Sequence, residues 1–196
     1  MDEHQSYVAS IIMDQGIKRV IEVGCAKGYF TDFLSKYSDA QGVDISAPYI
    51  KEAKKLFPDI KFRVADAMTF KSPRKFDAVF THGLFIHVAP KDIKKAIKNV
   101  MNLGRFGIFT ESSASEYLTP RQDMPYNGKK YWTHRALHPD ENDDLPMKYY
   151  FKHDYESLFE ELGLIYQIVK IFDHMNNTRL YFVRKAVKEI DGKTLN

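Results

Sequence analysis

The 196-residue chain has one cysteine, Cys25, so it cannot form a disulfide within itself. This excludes a cross-linked secreted scaffold and suits a reducing, intracellular compartment, read here as the cytoplasm. No apolar run approaches the ~18 residues that a membrane-spanning helix needs. The first residues, Met1-Asp2-Glu3-His4-Gln5, lack the basic-then-apolar pattern of a secretion signal. Strong charge of one sign is also missing, since the net charge is +3 with histidines neutral. A protein that grips a phosphate backbone shows a concentrated basic stripe. The densest candidate, Lys91, Lys94, Lys95 and Lys98, occupies one helical face opposite Ile93, Ile97, Val100 and Met101, and reads as a solvated face over a buried stripe. Nucleic acid is therefore not an expected partner. No repeat or low-complexity tract is present. The acidic run Asp140-Glu141-Asn142-Asp143-Asp144 reads as a solvated loop, because adjacent carboxylates rarely converge on one point; no metal is expected.

The residues that are present describe an ordinary globular chain, with 44% hydrophobic and 28% charged residues and a length that suits one core. Strand-like and helix-like segments alternate. A lead-in helix over 5–14 precedes a β-rich run, 18–23, that ends in a glycine turn. Phe30, Phe33, Leu34 and Tyr37 then follow at helical spacing. Further strands are expected at 40–45, 61–65, 76–81 and 106–111, with a helix at 48–57 stopped by Pro58 and the lysine-faced helix between the last two strands. Such alternation predicts a doubly wound α/β fold with parallel strands and helices on both faces. The ending differs. Asp154 is placed to cap a helix closed by Gly163, and strands at 166–172 and 178–184 flank Asn176-Asn177 as a hairpin. The expected fold is thus a seven-stranded, mostly parallel sheet ending in an antiparallel hairpin. The domain is expected to run over 1–187, with an irregular, aromatic-rich insertion at 112–152 and a frayed tail at 188–196. The abrupt polar tail suits one domain of a longer polypeptide.

The chemistry concentrates at the first turn, Glu22-Val23-Gly24-Cys25-Ala26-Lys27-Gly28, where a strand runs through glycines into a helix. Glycine permits a sharp turn and close approach to a ligand. Asp44 ends the second strand, where a carboxylate can accept hydrogen bonds from ribose hydroxyls, and Asp66 follows the third, placed for an adenine amino group. Glu22 argues against a dinucleotide, whose pyrophosphate would meet a carboxylate there. This string, with Asp44, Asp66 and Phe76-Asp77-Ala78-Val79-Phe80, resembles the motifs of class I S-adenosylmethionine-dependent methyltransferases. Ala26 departs from the three-glycine pattern. The resemblance implies S-adenosylmethionine as cofactor, with Glu22, Gly24, Cys25, Ala26, Gly28, Asp44, Ile45, Asp66, Ala67 and Thr81 around it. Cys25 reads as a packing residue, not a nucleophile, because no activating base lies near it in sequence.

Methyl transfer to a hydroxyl needs a base that works near neutral pH. In the family, the segment after the fourth strand faces the methyl group, which makes His82 a base candidate; His153, before the late helix, is a second. His87 is expected to be structural. Phe80-Thr81-His82-Gly83-Leu84-Phe85-Ile86-His87-Val88-Ala89-Pro90 resembles methyltransferases associated with polysaccharide and unusual-sugar biosynthesis, which implies a sugar hydroxyl, on a glycan or a nucleotide-linked sugar, as acceptor. Tyr126, Trp132 and Tyr149 of the insertion are expected to stack on sugar CH faces, and His134 and Arg135 to bond hydroxyls. Competing readings are a methyltransferase for another small metabolite or an amine, one for RNA, and a non-catalytic binding module on the same fold.

Overall fold

The computed structural model describes residues 1–112, 123–126, 129–134, 150–151, 153–172, 178–186, 189–190 and 193–194, by backbone alone within 123–150 and 189–194. One seven-stranded sheet organises the chain. Its strands are β1 (Arg19–Val23), β2 (Asp39–Asp44), β3 (Lys61–Val64), β4 (Phe76–His82), β5 (Gly104–Ser112), β9 (Leu164–Phe172) and β10 (Thr178–Lys185), in the order β3-β2-β1-β4-β5-β10-β9. The first five are parallel, and β10 runs antiparallel to both β5 and β9. Chain order reverses between β1 and β4. Such a switch point opens a crevice at the carboxyl ends of the strands, where doubly wound folds bind ligands.

The helices form where sequence supplies both a cap and an apolar stripe. Helix α1 (Glu3–Asp14) starts at a capping box in which the Asp2 carboxylate accepts the Gln5 N–H at 2.7 Å and the Gln5 side chain accepts the Asp2 N–H. Helix α2 (Tyr29–Ser35) follows the glycine turn, and α3 (Ala47–Leu56) is capped by the Ser46 hydroxyl. In α4 (Ile93–Met101) Ile93, Ala96, Ile97, Val100 and Met101 are buried while Lys94, Lys95 and Lys98 are exposed, as the lysine-face reading requires. Asp154 caps α5 (Tyr155–Glu161) by accepting the Ser157 N–H, and Gly163 ends that turn at φ 64°.

Two apolar layers sandwich the sheet. Val8, Ile12, Phe33, Leu34, Phe80, Phe172 and Leu180 pack on the α1/α2 side, with Cys25, Ile50, Ala53 and Phe62 extending that layer beneath α3. Ile21, Val79, Ile97, Val100, Phe109, Phe159 and Tyr181 pack on the α4/α5 side. Asp77 anchors the entry to β1: one carboxylate oxygen accepts the N–H groups of Lys18 and Arg19 at 2.8 and 2.9 Å.

The insertion is more regular than its prolines suggest. Strands β6 (Asp123–Tyr126), β7 (Lys129–His134) and β8 (Tyr150–Phe151) form a small antiparallel sheet, with Asp123 opposite Trp132 and His134 opposite Tyr150. Residues 189–190 and 193–194, expected to fray, pair as the short strands β11 (Glu189–Ile190) and β12 (Lys193–Thr194). Among the described residues no helix is long and apolar enough to cross a membrane.

Phe159 is fully buried among Phe109, Tyr155, Tyr166 and Tyr181. Phe159→Ala is expected to cost about 3–5 kcal/mol of unfolding free energy in urea denaturation, because the rigid ring neighbours cannot close the cavity.

Candidate active site

The turn after β1 reverses through three residues with positive φ: Gly24 at 81°, Ala26 at 45° and Gly28 at 83°. The first and last need glycine for a second reason. A Cβ on Gly24 would lie 2.9 Å from Leu84 Cδ1, and one on Gly28 would lie 2.6 Å from the Phe62 ring. Ala26 alone among the described residues adopts positive φ without being glycine. It is held there by the carboxylate of Asp44. Asp44 Oδ2 accepts the Ala26 N–H at 2.8 Å, while Oδ1 accepts the Ser46 N–H at 2.8 Å. The N–H groups of Gly24 and Cys25 both donate to the Val43 carbonyl. The glycine turn is therefore fastened to the end of β2. Beyond Asp44, Ile45 is 40% exposed, an unusual state for isoleucine at the end of a sheet strand. Asp66 is half-buried and caps its own turn through the Met68 N–H at 2.7 Å; Ala67 beside it is also half-buried.

Glu22 takes a different place from the turn residues. Its carboxyl is 3% exposed inside the sheet and accepts the Thr31 hydroxyl of α2. Burial pushes its pKa up to about 8, against the opposing pull of the Thr31 bond. Cys25 packs with Ile50, Ala53 and Phe62, and burial holds its thiol well above the usual range, so it stays protonated.

The far wall lies at the ends of β4 and β5, where His82 stands opposite Thr110 in register. His82 is exposed, and its ring tilts against His4 of α1, with centroids 4.8 Å apart, and meets Phe30 edge-on at 5.6 Å. His4 Nε2 shares a 2.8 Å hydrogen bond with Thr110 Oγ1. Desolvation lowers both imidazole pKa values, that of His4 to about 4, with the His82 charge adding to the shift. Thr81 is fully buried and donates to Glu111 Oε1 at 2.9 Å. Glu111 also accepts the N–H groups of Leu84 and Phe85 at 3.1 Å each, which shapes the turn after β4, and burial raises its pKa to about 8.

The structure thus brings Gly24, Ala26, Gly28, Asp44, Ile45, Asp66 and Ala67 to one rim, and His82 to the next strand along. Glu22, Cys25 and Thr81 lie beneath that rim, in the sheet and its packing. His153 is 5% exposed, its Nε2–H donates to the Val88 carbonyl at 2.9 Å, and burial lowers its pKa to about 4. His87 lies in a single 3-10 turn, Phe85–His87, not in the opening of α4. Trp132 and His134 are placed by backbone on β7 and Tyr126 on β6. Arg135, Tyr149 and the acidic run 140–144 lie outside the described residues. Sequence reading passed over His4, Thr110 and Glu111. A histidine in a lead-in helix carries no motif, and Glu111 looked like the polar end of a strand.

Two predictions follow from this geometry. Ala26→Gly relieves the positive φ and is expected to raise unfolding free energy by about 1 kcal/mol, read from the urea midpoint. The second concerns pH. Glu22 and Glu111 hold protons more tightly folded than unfolded, so their contribution is full below the unfolded pKa of 4.5 and is lost as pH rises through about 8. His4 and His153 act oppositely, losing their contribution as pH falls from 6.5 through about 4. Above pH 6.5 the histidine contribution is complete and that of the carboxyls is still being lost, so stability should fall from pH 6.5 to 8. The fall should be shallower in Glu22→Gln.

Residues 20–107 match a family model described as a methyltransferase domain. A protein of Invertebrate iridescent virus 6, 235L, named a methyltransferase, is 34% identical over 65 residues, which is 32% of this chain and 24% of that protein. The chain thus spans about a quarter of that relative's length. Among solved structures, S-adenosylmethionine-bound CalS10 of Micromonospora echinaspora, an amino pentose methyltransferase involved in calicheamicin biosynthesis, superposes with a TM-score of 0.73 at 13% identity, over 94% of this chain and 91% of that one. The N-terminal domain of EvdMO1, crystallised in the presence of S-adenosylhomocysteine and D-fucose, gives 0.69 at 16% identity, over 94% and 84%. Residues 20–107 are thus similar to a methyltransferase domain, and the chain shares its fold with these solved structures.

Proposed function

We propose that this protein transfers a methyl group from S-adenosylmethionine to a hydroxyl of a sugar unit, with His82 as the base. The observation that carries the reading is the rim built around Asp44. A carboxylate, an exposed isoleucine and a second carboxylate, Asp66, follow one another along the ends of β2 and β3. That order matches ribose hydroxyls, a flat adenine face and an adenine amino group. The donor set fits the cofactor on chemistry: Asp44 and Asp66 offer acceptors and Ile45 an apolar plate, while Lys27 of the turn is paired with Glu52 at 3.1 Å. Asp44 spends lone pairs on Ala26 and Ser46 yet keeps others for hydroxyl donors.

When bound, the cofactor supplies an activated methyl group on a sulfonium. The chain's part is to orient the acceptor and take up its proton. His82 sits one strand away from the glycine turn, at the end of β4, next to the turn that Glu111 shapes. Its lowered pKa keeps the imidazole neutral at pH 7, the form that accepts a proton. His153, whose Nε2 is bonded to Val88, suits holding the turn after β4 better than proton transfer. Sugar as acceptor class draws support from the segment 80–90 and from the amino pentose and D-fucose named with the two solved structures. An amine on a sugar is a second reading, favoured by the amino pentose alone.

Calorimetric titration with S-adenosylhomocysteine should show micromolar binding that weakens at least ~10-fold in Asp44→Asn and in Ile45→Asp. Absence of binding to the wild type would overturn the cofactor assignment. His82→Ala should leave that affinity unchanged and lower kcat by about 10²-fold or more with a saccharide acceptor. Turnover with phenols or simple amines and with no saccharide would dispose of the sugar reading.

A further inference from the structure

The chain passes from β3 to β4 through residues 65–75 without a helix. The sheet face over β1, β2 and β3 that looks away from α2 and α3 therefore receives this loop in place of a helix. A cavity of about 190 Å³ opens there. Register explains its lining. Ile21 pairs with Gln41 and Gln41 with Lys61, while Val43 pairs with Arg63, so alternate residues of three neighbouring strands share this face. Arg19 joins them from the start of β1, and Arg74 closes the cavity from the loop. Four cationic side chains thus surround a floor that includes Ile21, Val43, Phe70 and Phe76.

Their charges are poorly compensated. Arg19 meets Asp39 at 3.6 Å and donates to the Lys75 carbonyl. Lys61, Arg63 and Arg74 have no carboxylate partner among the described residues. The neighbouring lysines are engaged elsewhere, Lys71 on Asn99 and Lys75 on the Asn102 carbonyl. Gathered round one cavity, these like charges repel, and an anion seated among them offsets that repulsion. A guanidinium offers forked donors that match phosphoryl oxygens. The volume holds roughly six waters at ~30 Å³ each, enough for a diphosphate group. Arg19 lies five residues before Gly24, ~16 Å along an extended strand, so the cavity is separate from the cofactor rim.

We propose that this cavity is an anion site that binds a diphosphate group, with Arg63 and Arg74 as its principal donors. The site is independent of the methyl-transfer reading, because none of its cations belongs to the glycine turn or to the His82 wall.

The test is calorimetric titration of the full chain with inorganic pyrophosphate at ~0.15 M salt, where non-specific charge attraction is screened beyond ~8 Å. One saturable site with Kd below about 1 mM is expected, at least ~10-fold tighter than for sulfate. Arg63→Ala and Arg74→Ala should each weaken it ~10-fold or more, whereas Lys94→Ala, on a distant helix face, should not. Affinity for S-adenosylhomocysteine should be the same in all four proteins, and unfolding midpoints confirm that the variants fold. Non-saturable binding, equal affinity for sulfate, or affinity unchanged by both arginine variants would overturn the proposal.

Discussion

The carboxylate of Asp44 holds two chain reversals at once. One oxygen accepts the Ala26 N–H inside the glycine turn; the other accepts the Ser46 N–H where β2 passes into α3. Much of the rim depends on this bridge. It keeps a non-glycine residue at positive φ, seats α2 at the end of the turn, and turns Ile45 outward. A carboxylate that accepts two backbone donors is fixed in orientation before any ligand arrives. The geometry is therefore preorganised and need not be assembled on binding.

A second buried acid does similar work on the adjoining strands. Glu111 gathers the Thr81 hydroxyl and the Leu84 and Phe85 N–H groups, which sets the turn that carries His82 to its place. Leu84 then lies against Gly24, where a Cβ would fall 2.9 Å from its Cδ1 and displace the leucine. The two walls of the crevice touch through that leucine as well as through Phe30 and His82, so a shift in the turn after β4 is felt at the turn after β1. Glycine at 24 is thus demanded by backbone angle and favoured by packing between loops.

The sheet was readable from sequence because its strands alternate with helices of clear period and its turns carry glycine. Edges moved by only a residue or two, as at β2 and α3. That the turn residues, Asp44, Ile45 and Asp66 share one rim was readable for the same reason: they are contiguous with strand ends. Glu22 shows where such reading stops. Its position in the motif is plain, but that its carboxyl turns inward to Thr31 depends on the packing of α2, which no local pattern encodes. The wall at the ends of β4 and β5 was only half readable, since His4 reaches His82 across more than seventy residues of chain. The insertion was misjudged because prolines at 120, 125, 139 and 146 outweighed the Asn127-Gly128 pair, a strong hairpin signal between β-rich runs.

The order of the sheet also bears on how the chain is made. β10 lies between β5 and β9, yet it is the last of the seven strands to be synthesised. Until residues 178–185 emerge, β5 presents an open edge of backbone donors and acceptors, beside a half-formed layer that lacks Tyr181 and Val183. A nascent chain stalled in this interval has most of its apolar mass and no closure, the state in which edge-to-edge pairing with other chains is easiest. The final strand is thus the latch of the domain, and the interval before it emerges is when the growing polypeptide is most exposed to aggregation.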